Sequence, residues 1–263
     1  MSTQNSSNVV IMYEMELLIV FYGVLAGLAT LFGIYVIRRN HEWALKNSHY
    51  VNSFAAGLIL ALVFFHLMPE AIELSELAFY PAIFIGFFTF YLFENFIVIH
   101  SGSEIHYCLD EGEDGVHHTS RIGVMAFSGL AFHSLIDGII IGVGFELSTE
   151  IGFLAAMAVI LHEMPEGVTS FAIINEVMPD KSKILSVVVA IATPFGALFS
   201  LLFIRDLSEL LIGILLALAA GTFIYVAASD LIPQTHEKNN LQNLIAFIVG
   251  AFFIYVISLV FNT

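Results

Sequence analysis

The sequence predicts an all-α membrane protein of eight transmembrane helices, and three observations carry that prediction. First, eight stretches are predominantly apolar over about the 20 residues that a spanning helix needs, at 14–37, 50–72, 79–99, 122–145, 151–175, 184–204, 208–231 and 241–261. Second, the segments between them are mostly short, so residues 1–263 read as a single polytopic membrane domain. Third, 59% of the chain is hydrophobic, with 25 Phe and a mean hydropathy of +0.91. Soluble domains run nearer 45–50% apolar.

The first span follows MSTQNSSNVV, which lacks the basic residue expected ahead of a cleavable signal peptide's apolar run. Arg38, Arg39 and Lys46 separate it from the second span, which ends in HLMPE at 66–70. The third span leads into residues 100–121, HSGSEIHYCLDEGEDGVHHTSR, which hold four histidines, five acidic residues and Cys108. That loop lacks the apolar content to fold alone and is expected to be a disordered, His-rich and acidic linker with the chemistry of a weak metal tether. Its spacing matches no structural zinc pattern. The fourth span carries Gly123, Gly129, Gly138, Gly142 and Gly144, which permit close helix approach. The fifth is followed by Lys181 and Lys183, the sixth contains Pro194 and ends at Arg205, and the seventh runs into DLIPQ at 230–234. Lys238 precedes the eighth.

Basic residues set the orientation. Arg38, Arg39, Lys46, Arg121, Lys181, Lys183 and Lys238 fall in odd-numbered loops, and Arg205 alone in an even one. Odd loops therefore face the cytoplasm and both termini face outward. The formal charge of −15, with no basic patch, excludes a nucleic-acid partner. One cysteine excludes an intrachain disulfide. HLMPE on helix two echoes DLIPQ on helix seven, two helices of opposite direction, and predicts an inverted repeat. Pro69, Pro165, Pro194 and Pro233 are expected to interrupt their helices, each freeing a carbonyl four residues back.

The chemistry lies in helices four and five. HSLIDG (133–138) and HEMPEG (162–167) each place a carboxylate four residues after a histidine, so His133/Asp137 and His162/Glu166 each share one helix face. An ionisable group inside a membrane costs roughly 2.5–3.5 kcal/mol on insertion scales and by default marks an ion path. His133 and His162 lie about midway along antiparallel spans, hence at similar depth. Together the four residues form the mixed imidazole and carboxylate set that suits zinc, iron or manganese. Glu166 is placed to bridge two ions, Glu163 and Asp137 to serve the second, and His66 to complete the first. The His-Glu-x-x-His of a zinc protease is absent, because Glu166 stands where the second histidine is required. No lysine lies inside a span, which excludes a retinal Schiff base. An intramembrane di-metal hydrolase or hydroxylase, or a metal sensor, stays open on residue types alone. Carboxylates trailing to both faces, Glu70, Glu73 and Glu76 at one and Asp230 at the other, suit a path better.

At HSLIDGIIIG (133–142), LHEMPEG (161–167) and HLMPEA (66–71) the chain resembles the ZIP (Zrt/Irt-like) family of divalent metal transporters. The resemblance covers nearly the whole chain, including eight spans with outward termini and a histidine-bearing third cytoplasmic loop. It implies a multi-pass cell-membrane protein that moves zinc, iron or manganese toward the cytoplasm by alternating access, commonly as a homodimer. The metal is then cargo, and no prosthetic group is implied. By position the resemblance makes His133, Asp137, His162, Glu163, Glu166 and His66 metal ligands. Ser134 stands where well-known members have asparagine, and a hydroxyl is a poor ligand. Some bacterial members have a glutamate just before the helix-six proline; here Thr193 precedes Pro194, which weakens a second metal position.

Overall fold

The computed structural model describes residues 2–101, 115–204, 207–235 and 240–261, which are helical almost throughout, with no strand among them. The helices are α1 (Ser2–Arg39), α2 (His41–Leu62), α3 (Met68–Ser101), α4 (Gly115–Leu147), α5 (Thr149–Val177), α6 (Ser182–Ser200), α7 (Glu209–Tyr225), α8 (Ile232–Thr235) and α9 (Asn240–Phe261). Two π-helical segments, Val63–Leu67 and Val226–Leu231, continue α2 into α3 and α7 into α8. The middle of the His-rich loop, residues 102–114, and the side chain of Asp230 lie outside the described residues.

Seven helical runs among the described residues are long and apolar enough to cross a membrane. The expected second and third spans fall together in one of them, the 52-residue run His41–Leu92. Its backbone leaves helical geometry at Ser75 (φ −148°, ψ 45°), between those two spans. Hydropathy averages over a window, so a break confined to one residue looks the same as a short loop. The expected interruptions at proline also divide into two kinds. Pro165 and Pro194 sit inside continuous helices, each costing one backbone bond. Pro69 and Pro233 instead stand second in the helices that follow the two π segments, in a first turn where the missing amide costs little.

Short polar caps make the tight turns. Asn40, between α1 and α2, accepts from the Trp43 amide at 3.2 Å. Ser148, between α4 and α5, accepts from the Ile151 amide at 3.1 Å, and Ser208 starts α7 in the same way. Beside Ser148, a Cβ on Gly144 would lie 3.1 Å from Gly152 Cα, so α4 and α5 close as a hairpin with nothing between their backbones.

Four helix pairs pack more closely than any side chain would allow. A Cβ on Gly33 would overlap the Met164 carbonyl oxygen, and one on Gly167 that of Thr30, joining α1 to α5. Gly57 and Gly250 do the same for α2 and α9, Gly86 and Gly221 for α3 and α7, and Gly138 and Gly196 for α4 and α6. Contacts advance together along both members: Gly213 meets Leu74 and Gly221 meets Ile83, while Tyr22 meets Phe153 and Thr30 meets Gly167. These two pairs are therefore parallel. Without a hydrophobic drive between helices in lipid, such backbone contact is what favours association. α1, α4, α5 and α6 pack chiefly on one another, whereas α2 carries α9 and α3 carries α7.

The faces left outside are apolar. On α6 the small polar residues Ser186, Thr193 and Ser200 are buried, while Ile184, Ile191 and Phe195 are exposed. α9 likewise exposes Leu241, Ile248 and Phe252. In water this would be inside out; against hydrocarbon it is the stable arrangement. The chain is a multi-pass membrane protein.

Candidate metal centre

The α4–α5 hairpin brings four metal-binding side chains to one level. His133 lies 15 residues before Ser148 and His162 lies 14 after it, so each is about 21–23 Å from the turn. Side chains lean toward their helix's N-terminus, away from the turn on α4 and toward it on α5. Asp137 and Glu166 therefore lean into the level of the two histidines. One ligand atom from each of His133, Asp137, His162 and Glu166 lies within 4.8 Å of all the others.

The contacts are specific. Asp137 Oδ2 is 3.0 Å from His162 Nε2 and 3.3 Å from His133 Nε2. Glu166 Oε2 is 3.4 Å from His133 Nε2. His162 Nδ1 donates to the Ala158 carbonyl at 2.9 Å; since a carbonyl only accepts, the ring proton is held there and the Nε2 lone pair faces Asp137. Two acceptor atoms 3.0 Å apart need a proton or a cation between them. Aromatic edges pack against both imidazoles, Phe90 against His133 and Phe223 against His162. His162 and Asp137 are almost fully buried, at 2% and 1% exposure, whereas His133 retains 13% on its side chain. A cavity of about 90 Å³ opens beside them, lined by His133, His162, Glu166, Asn52, Leu130, Thr169, Val226 and Leu231. A larger cavity of about 320 Å³ between α3, α4 and α7 is walled by apolar residues with Thr89 and Thr222, and offers no cation ligand.

The other expected ligands lie apart from this convergence. Ser134 Oγ donates to Glu166 Oε1 at 3.1 Å, so it orients one of the four converging side chains. Glu163, fully buried, points to a neighbouring face of α5, where Thr30 of α1 and Thr193 of α6 each hydrogen-bond one of its oxygens. His66 lies in the first π segment, half-buried and within electrostatic reach of Glu150, which also neighbours Glu70. Three residues of this neighbourhood escape the motif reading: Thr30, Asn52 and Thr169. Their one sequence signal is a hydrogen-bonding side chain in an apolar span, which many other positions share.

A family model described as ZIP Zinc transporter matches residues 100–258, more than half of the chain and all four converging residues. Zinc transporter zipt-7.1 of Caenorhabditis briggsae is 30% identical over 145 residues, covering 49% of this chain and 37% of that protein. Zinc transporter YKE4 of Saccharomyces cerevisiae is 26% identical over 229 residues, covering 75% of this chain and 64% of that protein. Zinc transporter ZIP13 of Pongo abelii is 26% identical over 240 residues, covering 82% and 68%. The chain thus spans about a third of the nematode relative's length and about two thirds of the yeast and ape proteins'.

Proposed function

Because the chain belongs to the ZIP zinc transporter family, we propose that it carries divalent transition-metal cations, zinc foremost, across the membrane toward the cytoplasm. The family is one of transporters rather than enzymes. One observation carries the proposal: two imidazoles and two carboxylates converge within 4.8 Å inside an otherwise apolar bundle. Four such groups cost too much in hydrocarbon to serve packing alone. They form a borderline nitrogen and oxygen ligand set, which binds zinc and also accepts iron, manganese or cadmium.

In this reading the ion meets His66, Glu70, Glu73 and Glu150 at the outer end. It sheds water at His133, Asp137, His162 and Glu166, then leaves toward Asp230 and the third loop. Ser134 positions Glu166. Glu163 reaches an ion, as a ligand of a second position, only by exchanging its threonine partners for metal.

Eight crossings are supported by the length of the run His41–Leu92, whose 52 residues would rise about 78 Å as one helix, more than twice the hydrocarbon thickness. The non-helical Ser75 is the place at which the run would turn back to give two spans. The inverted repeat is supported by the pairing: exchanging α1 with α6 and α5 with α4 maps one glycine-locked pair on the other. Exchanging α2 with α7 and α9 with α3 does the same for the remaining two. That exchange also superposes the two π segments, each just ahead of its proline. Outward termini rest on the basic loops, and a homodimer on the family likeness.

The test is flux into proteoliposomes holding the full chain, challenged with zinc, iron, manganese and cadmium. Wild type is expected to accumulate zinc, and His162→Ala to lose at least nine tenths of that rate while still inserting normally. Undiminished flux in His162→Ala removes the centre from the pathway.

A further inference from the structure

The centre accounts for three of the residues around the 90 Å³ cavity, but not for a buried amide in its wall. Asn52 of α2 is 1% exposed and lines the same cavity as His133, His162 and Glu166. Its depth is independently fixed: Asn52 lies 12 residues after the Asn40 turn and Thr30 lies 10 before it. Thr30 touches Glu163, next to His162, so Asn52 stands at the level of the centre.

One turn nearer the Asn40 end, on the same face of α2, is His49. It is 8% exposed, and its Nε2 has no hydrogen-bond partner among the described residues. A buried imidazole with an unmet nitrogen costs free energy that no hydrogen bond among the described residues offsets. The neighbouring groups are otherwise engaged: Ser53 Oγ donates to the His49 carbonyl at 2.7 Å, and Tyr50 Oη donates to Gln242 Oε1 at 2.6 Å. His49 lies nine residues, about 14 Å of helix, from the turn that carries Arg38 and Arg39.

We propose that Asn52 and His49 form a transient second binding step for the transported divalent cation, a stair on the buried face of α2 that leads from the centre toward the α1–α2 turn. The amide oxygen takes the ion over from the carboxylates, and the imidazole nitrogen takes it one turn further. An amide and one imidazole bind less tightly than two imidazoles and two carboxylates, as release requires. This step rests on the transport reading given above.

Zinc flux into proteoliposomes, measured beside the zinc content of the purified full chain, separates the two ideas. Asn52→Leu and His49→Leu are expected to lower the initial rate at least tenfold while bound zinc stays at wild-type stoichiometry. Asn52→Asp and His49→Cys are expected to restore much of the rate by restoring a ligand. Absence of zinc flux in wild type overturns the transport reading itself. Wild-type flux with both leucine variants within twofold of it overturns the stair alone. Should either leucine variant fail to fold, His49→Cys in a Cys108→Ser background decides. It is expected to react with a small water-soluble thiosulfonate, and cadmium is expected to slow that reaction at least tenfold. A folded protein that is unreactive there, or reactive without protection, overturns the stair.

Discussion

Glu163 ties three helices together, and removing its partners gives the sharpest energetic test of the packing. Its two oxygens are met by Thr30 of α1 and Thr193 of α6, and it is 0% exposed. Thr193→Val and Thr30→Val each remove one hydroxyl at nearly constant volume. Hydrogen bonds to charged groups in soluble proteins are worth about 1.5–3 kcal/mol. Interhelical bonds in a membrane average only about 0.6 kcal/mol and reach about 1.7, because separated helices find other partners. The membrane scale governs here, and a carboxylate acceptor belongs at its upper end. Each single variant should therefore lose about 1 kcal/mol. The double variant leaves a buried carboxylate with neither hydroxyl, a loss closer to the 3–5 kcal/mol of a broken buried pair. It should exceed the sum of the singles by about 1 kcal/mol or more. Equilibrium unfolding in bicelles of the wild type, both singles and the double measures all four corners. Two singles within about 0.3 kcal/mol of wild type, or a strictly additive double, would show that Glu163 is not clasping α1 and α6 to α5.

Two further predictions concern the centre. Zinc and protons compete for His133 and His162, so apparent affinity should fall as pH is lowered. At most one proton is displaced from each histidine, so the weakening is no steeper than about 100-fold per pH unit, and an affinity independent of pH would contradict a histidine-held ion. Ser148→Ala removes the cap of α5 and should cost about 0.5–2 kcal/mol. Because the same turn sets the relative depth of His133 and His162, zinc occupancy should weaken alongside stability; unchanged melting and unchanged binding would argue that the hairpin is fixed elsewhere.

The four converging residues were legible because two simple rules suffice to place them. The i,i+4 spacing puts each pair on one face, and nearly equal distances from Ser148 put both pairs at one depth. Neither rule needs tertiary knowledge. Glu163 shows where such rules stop: adjacent to His162, it points about 100° away around the helix, toward α1 and α6. Only the identity of the neighbouring helices reveals its two threonines. His66 belongs to a motif like those on α4 and α5, yet the π turn and the N-terminal end of α5 are its surroundings. Asn52 carries no motif at all. Its place in the cavity wall follows from the Asn40 turn and from α2 packing on α5, both set by long-range contacts.

The division of the centre between helices bears on how an ion moves. All four converging side chains ride on α4 and α5, which pack with α1 and α6 through glycine-locked contacts and the Glu163 clasp. The rest of the cavity wall includes Asn52 on α2 and Val226 and Leu231 of the second π segment, whose helices pack mainly with α9 and α3. The boundary between the two groups therefore passes through the cavity rather than between the ligands. A displacement of one group against the other would leave the 3.0–3.4 Å ligand geometry intact while changing what faces the ion. Had Asp137 and His162 belonged to different groups, every such movement would have had to break a contact inside a dry, apolar interior, where an exposed charge is most costly. Placing the whole ligand set on one hairpin confines that cost to the single step at which the ion crosses to α2.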